Sequence, residues 1–153
     1  MARGRLFYGA VAVLGGLVLA ESLFMPWYSL DVMVAGTDAR STHSAWQSMA
    51  LMDVLLLLVA LAAIGAGAVL ARRGELSLVV GVAGAAGVLI SLAGLIDLPD
   101  SDLAAAPGDD VSTGRLAGPF VALIASAGIT FAGLAHSERR LRSPEADKVD
   151  ARG

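Results

Sequence analysis

Two acidic side chains in apolar surroundings offer the most chemistry in this chain. Glu21 lies near the end of the apolar block 6–25, and Asp53 near the start of the block 49–71; each is the one charge of its block. An ionisable group at the centre of a bilayer costs about 2.5–3.5 kcal/mol on insertion scales, so it is expected to face the interior of a bundle or to serve a function. Glu21 precedes Trp27 by six residues, and Asp53 follows Trp46 by seven. If both tryptophans mark the membrane–water boundary, the carboxyls lie roughly 9–10 Å below it at 1.5 Å rise per residue. Ser91, six residues before Asp97, reaches a similar depth, and Ser126 lies somewhat deeper. Glu21, Asp53, Ser91 and Ser126 are therefore expected to share a polar layer in the outer leaflet. No Lys, Arg or His lies at that depth in sequence. Arg115, Arg40 or His43 could reach in from the rim. Without such a cation, at least one carboxyl would be protonated and would donate a hydrogen bond. The pair would then either handle a proton or cation, or act as hydrogen-bonding glue close to water. The shallow depth favours glue.

Other reactive constellations are missing. There is no Cys, which excludes disulfides, thiol nucleophiles and Cys-based zinc sites. The two histidines, His43 and His136, fall at opposite ends of apolar blocks and form no metal pair. No nucleophile elbow, H-E-x-x-H or phosphate-binding loop occurs. The aspartates between 97 and 110 lack the ordered D-x-D-x-D-G calcium pattern. No catalytic, cofactor-binding or metal-ligating residue is assigned, and the chain is not expected to be an enzyme. Basic residues interleaved with aromatics are absent, so nucleic acid is not an expected partner.

The elements that must position these side chains follow from composition. Of 153 residues, 56% are hydrophobic and 16% charged, against roughly 25% charged in an ordinary soluble domain. The apolar residues form blocks of the length that a hydrocarbon core of roughly 30 Å demands of a helix. Four spans are expected, at about 6–26, 49–71, 76–97 and 116–136, with outer loops at 27–48 and 98–115. The fold class is all-α membrane: a four-transmembrane-helix bundle, residues 1–136, followed by a charged tail, 137–153. Arg3, Arg5, Arg72, Arg73, Arg139, Arg140, Arg142, Lys148 and Arg152 fall on one side, leaving only Arg40 and Arg115 on the other. The positive-inside rule then puts both termini and the 72–75 link in the cytoplasm. Val18 and Ala20 before Glu21 would fit a signal-peptide cleavage site. The apolar run nevertheless continues through Leu23-Phe24-Met25 to Trp27-Tyr28, so a retained span ending in an aromatic belt is expected.

Small residues four apart are expected to form the helix seams: Ala12, Gly16 and Ala20; Ala63 and Gly67; Ala83, Gly87 and Ser91; Gly118, Ala122, Ser126 and Thr130. Leu55-Leu56-Leu57-Leu58 is expected to face lipid. In the first outer loop, Tyr28, Leu30, Val32 and Val34 alternate with Ser29, Asp31 and Met33, which predicts a strand. A turn at Gly36-Thr37-Asp38 and a polar return over Arg40–Ser44 would complete a short extracellular β-hairpin. Such a hairpin is marginal alone and needs a surface to lie on. Ser44-x-x-Gln47 fits a capping box for the second helix. Trp27, Tyr28, His43 and Trp46 form the candidate outer interaction surface. The second outer loop is acidic and rich in turn formers, and is expected to be mobile. The tail is expected to end in disorder after a turn or two of helix over Glu138–Arg142.

The stretch Phe24-Met25-Pro26-Trp27-Tyr28-Ser29-Leu30, with Ala45-Trp46 and then Asp53 opening a Leu-rich span, resembles small uncharacterised four-helix membrane proteins of actinobacteria. That resemblance implies a plasma-membrane location and no activity. Claudin-like proteins are similar in topology, but their cysteine pair and Gly-Leu-Trp motif are missing, so a junction-forming role does not carry over. The expected role is a non-enzymatic accessory subunit or envelope scaffold, with a membrane protein or a second copy of the chain as partner in the bilayer. The alternative is a small proton-coupled transporter or channel using the intramembrane carboxylates. No cofactor is expected.

Overall fold

The apolar blocks fold as four helices, and the loop residues between them contribute a small sheet. The computed structural model describes residues 2–34, 37–44, 50–96 and 110–150. The elements run α1 (Ala2–Ser22), β1 (Pro26–Val34), β2 (Thr37–Ser44), α2 (Ala50–Arg73), α3 (Ser77–Ile96), β3 (Asp110–Arg115) and α4 (Ala117–Asp150). All four helices are long and apolar enough to cross a membrane, over Arg3–Ser22, Leu51–Arg73, Ser77–Ile96 and Ala117–Arg139.

Helix ends are set by local chemistry. α1 stops at Ser22, four residues short of the expected span end. The N–H groups of Leu23, Phe24 and Met25 bond three residues back, to the carbonyls of Ala20, Glu21 and Ser22. This tightened turn leads into Pro26, whose ring disfavours helix at the residue before it. α2 ends at Gly74, which takes a left-handed φ of 73° while its N–H bonds the Leu70 carbonyl at 2.9 Å, a glycine C-cap. Leu76 follows with φ 65° and accepts the first hydrogen bond of α3, from Val80. Pro119 sits in the first turn of α4, where its missing N–H costs little.

Each helix packs against two neighbours, in the ring α1–α2–α3–α4 and back to α1. The small-residue stripes are the seams. Ala12, Gly16, Ala63, Gly67, Gly87, Ser91, Gly118, Ala122 and Ser126 are all buried. A methyl group added at Gly67 would lie 2.8 Å from Ala12 Cβ, and one at Gly15 would lie 2.7 Å from Ile129 Cγ1. Backbones this close gain dispersion contacts that larger residues would forbid. The Leu55–Leu58 run divides: Leu55 and Leu58 are exposed, whereas Leu56 is fully buried in the core. Four consecutive helical residues span more than a full turn, so they cannot all face lipid.

The expected hairpin is a three-stranded antiparallel sheet in the order β2-β1-β3. β2 begins at Thr37, so Thr37 and Asp38 belong to the strand; Gly36 lies outside the described residues. The second outer loop contributes β3 to the other edge of β1, correcting the expectation of a mobile segment for 110–115. The earlier part of that loop lies outside the described residues. β1 thus gains hydrogen bonds on both edges, which supplies the support that a lone hairpin lacks. A bulge between Pro26 and Tyr28 breaks the alternation of β1, and both Trp27 and Tyr28 are buried. The tail also departs from expectation, because α4 continues as helix to Asp150.

Candidate functional site

Of the four residues expected to share a polar layer, the structure buries three. Asp53 is 1% exposed, and Ser91 and Ser126 are fully buried. Both Asp53 carboxyl oxygens and the two serine hydroxyls lack a hydrogen-bond partner among the described residues. Glu21 is placed differently. It is exposed on α1, sharing a face with exposed Leu14, Leu17 and Val18 at seven, four and three residues before it. That face points out of the bundle, so Glu21 does not join Asp53. Depth reckoned along a sequence says nothing about azimuth around the helix, which is why depth alone grouped them.

Gly87 fixes the relative levels of the three buried groups along the bundle. A methyl added there would lie 2.5 Å from Ser126 Oγ on α4 and 3.2 Å from Val59 Cγ1 on α2. Hence α2, α3 and α4 meet at Gly87. Ser91 is one turn, about 6 Å, nearer the sheet end of α3, and Asp53 is about 9 Å from Val59 in the same direction. Asp53 and Ser91 are thus at nearly the same depth, with Ser126 about one turn further in.

Strand β1 lies at this end of the bundle, with Trp27 against Gly94 of α3. Burial raises the pKa of the Tyr28 phenol above its usual value near 10, and the nearby Asp53 carboxylate raises it further. The ring of Tyr28 stacks on His43 across the strand pair, with centroids 5.7 Å apart. His43 Nε2 lies 3.1 Å from Ser41 Oγ, which is exposed. Tyr28 is thus the sheet residue whose titration senses the buried carboxyl.

Trp27 is 3% exposed, its ring packed within the protein. Its indole N–H donates to the Ser22 carbonyl at 2.8 Å. Its ring lies against two glycines: a methyl at Gly94 would fall 2.8 Å from Cζ3, and one at Gly118 would collide with Cδ1 and Nε1. The Trp27 carbonyl accepts from Leu116 N–H at 2.9 Å, tying β1 to the start of α4. Trp27 and Tyr28 are therefore internal, correcting their assignment to an outer interaction surface. His43 is half-buried, and Trp46 lies outside the described residues. Gly94 and Gly118 are legible as small residues, but nothing in the sequence pairs them with Trp27.

The rim cations do not reach the carboxyls. Arg115 Nε donates to the Leu95 carbonyl at 2.9 Å, near the C-terminal end of α3. Arg40 pairs with Asp31 at 3.3 Å across β1 and β2, in solvent. Among the described residues, no three His, Cys, Asp or Glu side chains gather as a metal-binding set. Comparisons with protein families, with curated proteins and with solved structures find no match to this chain.

Proposed function

We propose that this chain is a non-enzymatic, multi-pass protein of a bacterial plasma membrane, an accessory subunit or scaffold that offers its outer sheet to a partner. Four membrane-length helices support the multi-pass reading. The basic flanks support cytoplasmic termini. The observation that carries the scaffold reading is the sheet itself. β1 is central, so β2 and β3 each pair on one side only among the described residues. Arg40, Ser41 and Thr42 of β2 are exposed. An edge strand with unpaired N–H and C=O groups is a template for an added strand from another chain. Trp27 fixes this sheet rigidly to the helices, so the edge is displayed in one orientation.

The transporter alternative needs two carboxyls acting together, and Glu21 and Asp53 occupy different faces. A pull-down from the native membrane in mild detergent tests the scaffold reading. Replacing Ser41 and Thr42 by Lys blunts the edge with charge. The expected result is loss of at least nine-tenths of a co-purifying protein, with unchanged yield of the chain. Co-purification of nothing by the unaltered chain would sink the proposal.

A further inference from the structure

Tyr8 is buried at the end of the bundle that carries the basic flanks. Its ring meets two side chains of α4. His136 lies edge-on, with centroids 5.9 Å apart, and the guanidinium carbon of Arg139 stands 5.4 Å from the ring centroid. A methyl at Gly4 would lie 3.8 Å from Arg139 Nη1, so this guanidinium reaches from α4 onto α1. Arg139 is exposed and is the last residue of its apolar span, as Arg3 is the first of the span in α1. The cation–π contact therefore holds a guanidinium in one place at headgroup level. Two further nitrogens nearby lack an acceptor: His136 Nε2 and, three residues before Tyr8, Arg5 Nε are buried with no hydrogen-bond partner among the described residues. We propose that the groove between α1 and α4 at this end binds an anionic phospholipid. Its phosphodiester sits on Arg139, with Arg5 as a second donor about one turn before Tyr8, and an acyl chain runs along α4 toward the middle of the bundle.

Charge and shape favour this occupant. The planar guanidinium fork matches phosphate oxygens, and its hydrogen bonds to them are charge-assisted. Gly9 packs against Ala71, which brings exposed Arg72 and Arg73 to the same end as Arg3 and Arg5. These cations exceed Glu75 and Glu138, so a headgroup of net negative charge is preferred over a zwitterionic one. A free phosphate would use only the cations. The groove also has an apolar part of acyl-chain length. Gly128 precedes Arg139 by eleven residues, three turns along the same face and roughly 16 Å, close to half the hydrocarbon thickness. A methyl at Gly128 would meet nothing within 4 Å, although adjacent Ile129 packs tightly on Gly15 of α1. The α1–α4 seam is thus closed on its inner side and open on its outer side. Exposed Phe7, edge-on to Tyr8 at 5.4 Å, adds an apolar wall near the headgroup. The inference rests on the four-span reading alone. It needs neither the scaffold role nor a choice of membrane side.

The test is thermal unfolding of the full chain in mild detergent micelles doped with phosphatidylglycerol, or with phosphatidylcholine of the same acyl chains. A lipid that binds the folded state raises the melting temperature with a saturable dependence on its mole fraction. The expected result is a rise of several degrees with phosphatidylglycerol and none with phosphatidylcholine or with inorganic phosphate. Arg139→Gln and Tyr8→Leu should each move the half-saturating mole fraction up about tenfold. Arg73→Gln removes the same charge from an exposed position away from Tyr8 and should leave it unchanged. Equal responses to the two lipids overturn the proposal. An equal shift in Arg73→Gln and Arg139→Gln overturns it too, since diffuse surface charge then suffices. A matching rise with inorganic phosphate replaces the lipid by a free anion. If Tyr8→Leu does not fold, Arg139→Gln decides, because that side chain is exposed and its loss leaves the core intact.

Discussion

Tyr28 carries the clearest single-residue consequence. Its phenol is buried, and burial and then the negative charge of Asp53 raise its pKa in the folded chain above the usual value near 10. The folded state therefore holds the phenolic proton more tightly than the unfolded state. Stability from this group is fully present below about pH 10 and falls as pH climbs from there through the higher folded pKa. Melting temperatures measured across that range should drop for the unaltered chain and drop less for Tyr28→Phe. A Tyr28→Phe curve that parallels the original would remove this account. Asp53 and Tyr28 were both legible as residues worth attention, one as a charge in an apolar block and one as an aromatic at a boundary. The burial of Tyr28 beside Trp27 was not, because it depends on the bulge between Pro26 and Tyr28 that breaks the strand alternation. Glu21 misled for a related reason. Position along a helix fixes depth, while the choice between core and lipid turns on a rotation of 100° per residue set by the neighbours.

At the scale of elements, the seams between helices were readable because small residues four apart have few uses in a membrane helix besides close packing. Two glycines separate a packing role from a tolerated one. A methyl at Gly84 would sit 2.5 Å from Thr130 Oγ1, whereas Gly65 has nothing within 4 Å. Gly84→Ala should lower stability by about 1–3 kcal/mol, the usual cost of overpacking. Gly65→Ala should leave it unchanged or slightly higher. Melting both variants in the same detergent checks the contrast, and equal losses would mean that the α3–α4 seam is elsewhere. Strand β3 was not readable. Asp110–Arg115 is short and polar, with a glycine, and β-propensity there is overridden by the open edge of β1 beside it. The tail was misjudged in the same way, since charge and a proline were weighed above continuity with a long helix.

Along the sequence, nine of the eleven Lys and Arg flank the same ends of the four apolar blocks, and this sorting motivates the proposed topology. The chain has no cysteine, so single introduced thiols report their side cleanly. Thr42→Cys in exposed β2 should react with a membrane-impermeant maleimide in intact cells. Arg3→Cys at the start of α1 should react only after the membrane is opened. The reverse pattern would invert the orientation and refute cytoplasmic termini. Four spans were evident from hydropathy alone, because a 20-residue apolar run has few other fates. The sheet that closes one end was half evident: two strands announced themselves, and the third came from a distant loop.

That third strand has a consequence in time. The centre of the sheet, β1, is made early in synthesis, and its partner β3 is made only after α3. Until then Trp27 lacks Gly118, and one edge of β1 stays unpaired. The amino-terminal half can insert as a helical hairpin, but its outer cap must wait for the carboxy-terminal half to arrive. Closure of β3 onto β1 therefore cannot precede synthesis of α3. A chain truncated before β3 would leave that edge of β1 unpaired, open to pairing with another chain.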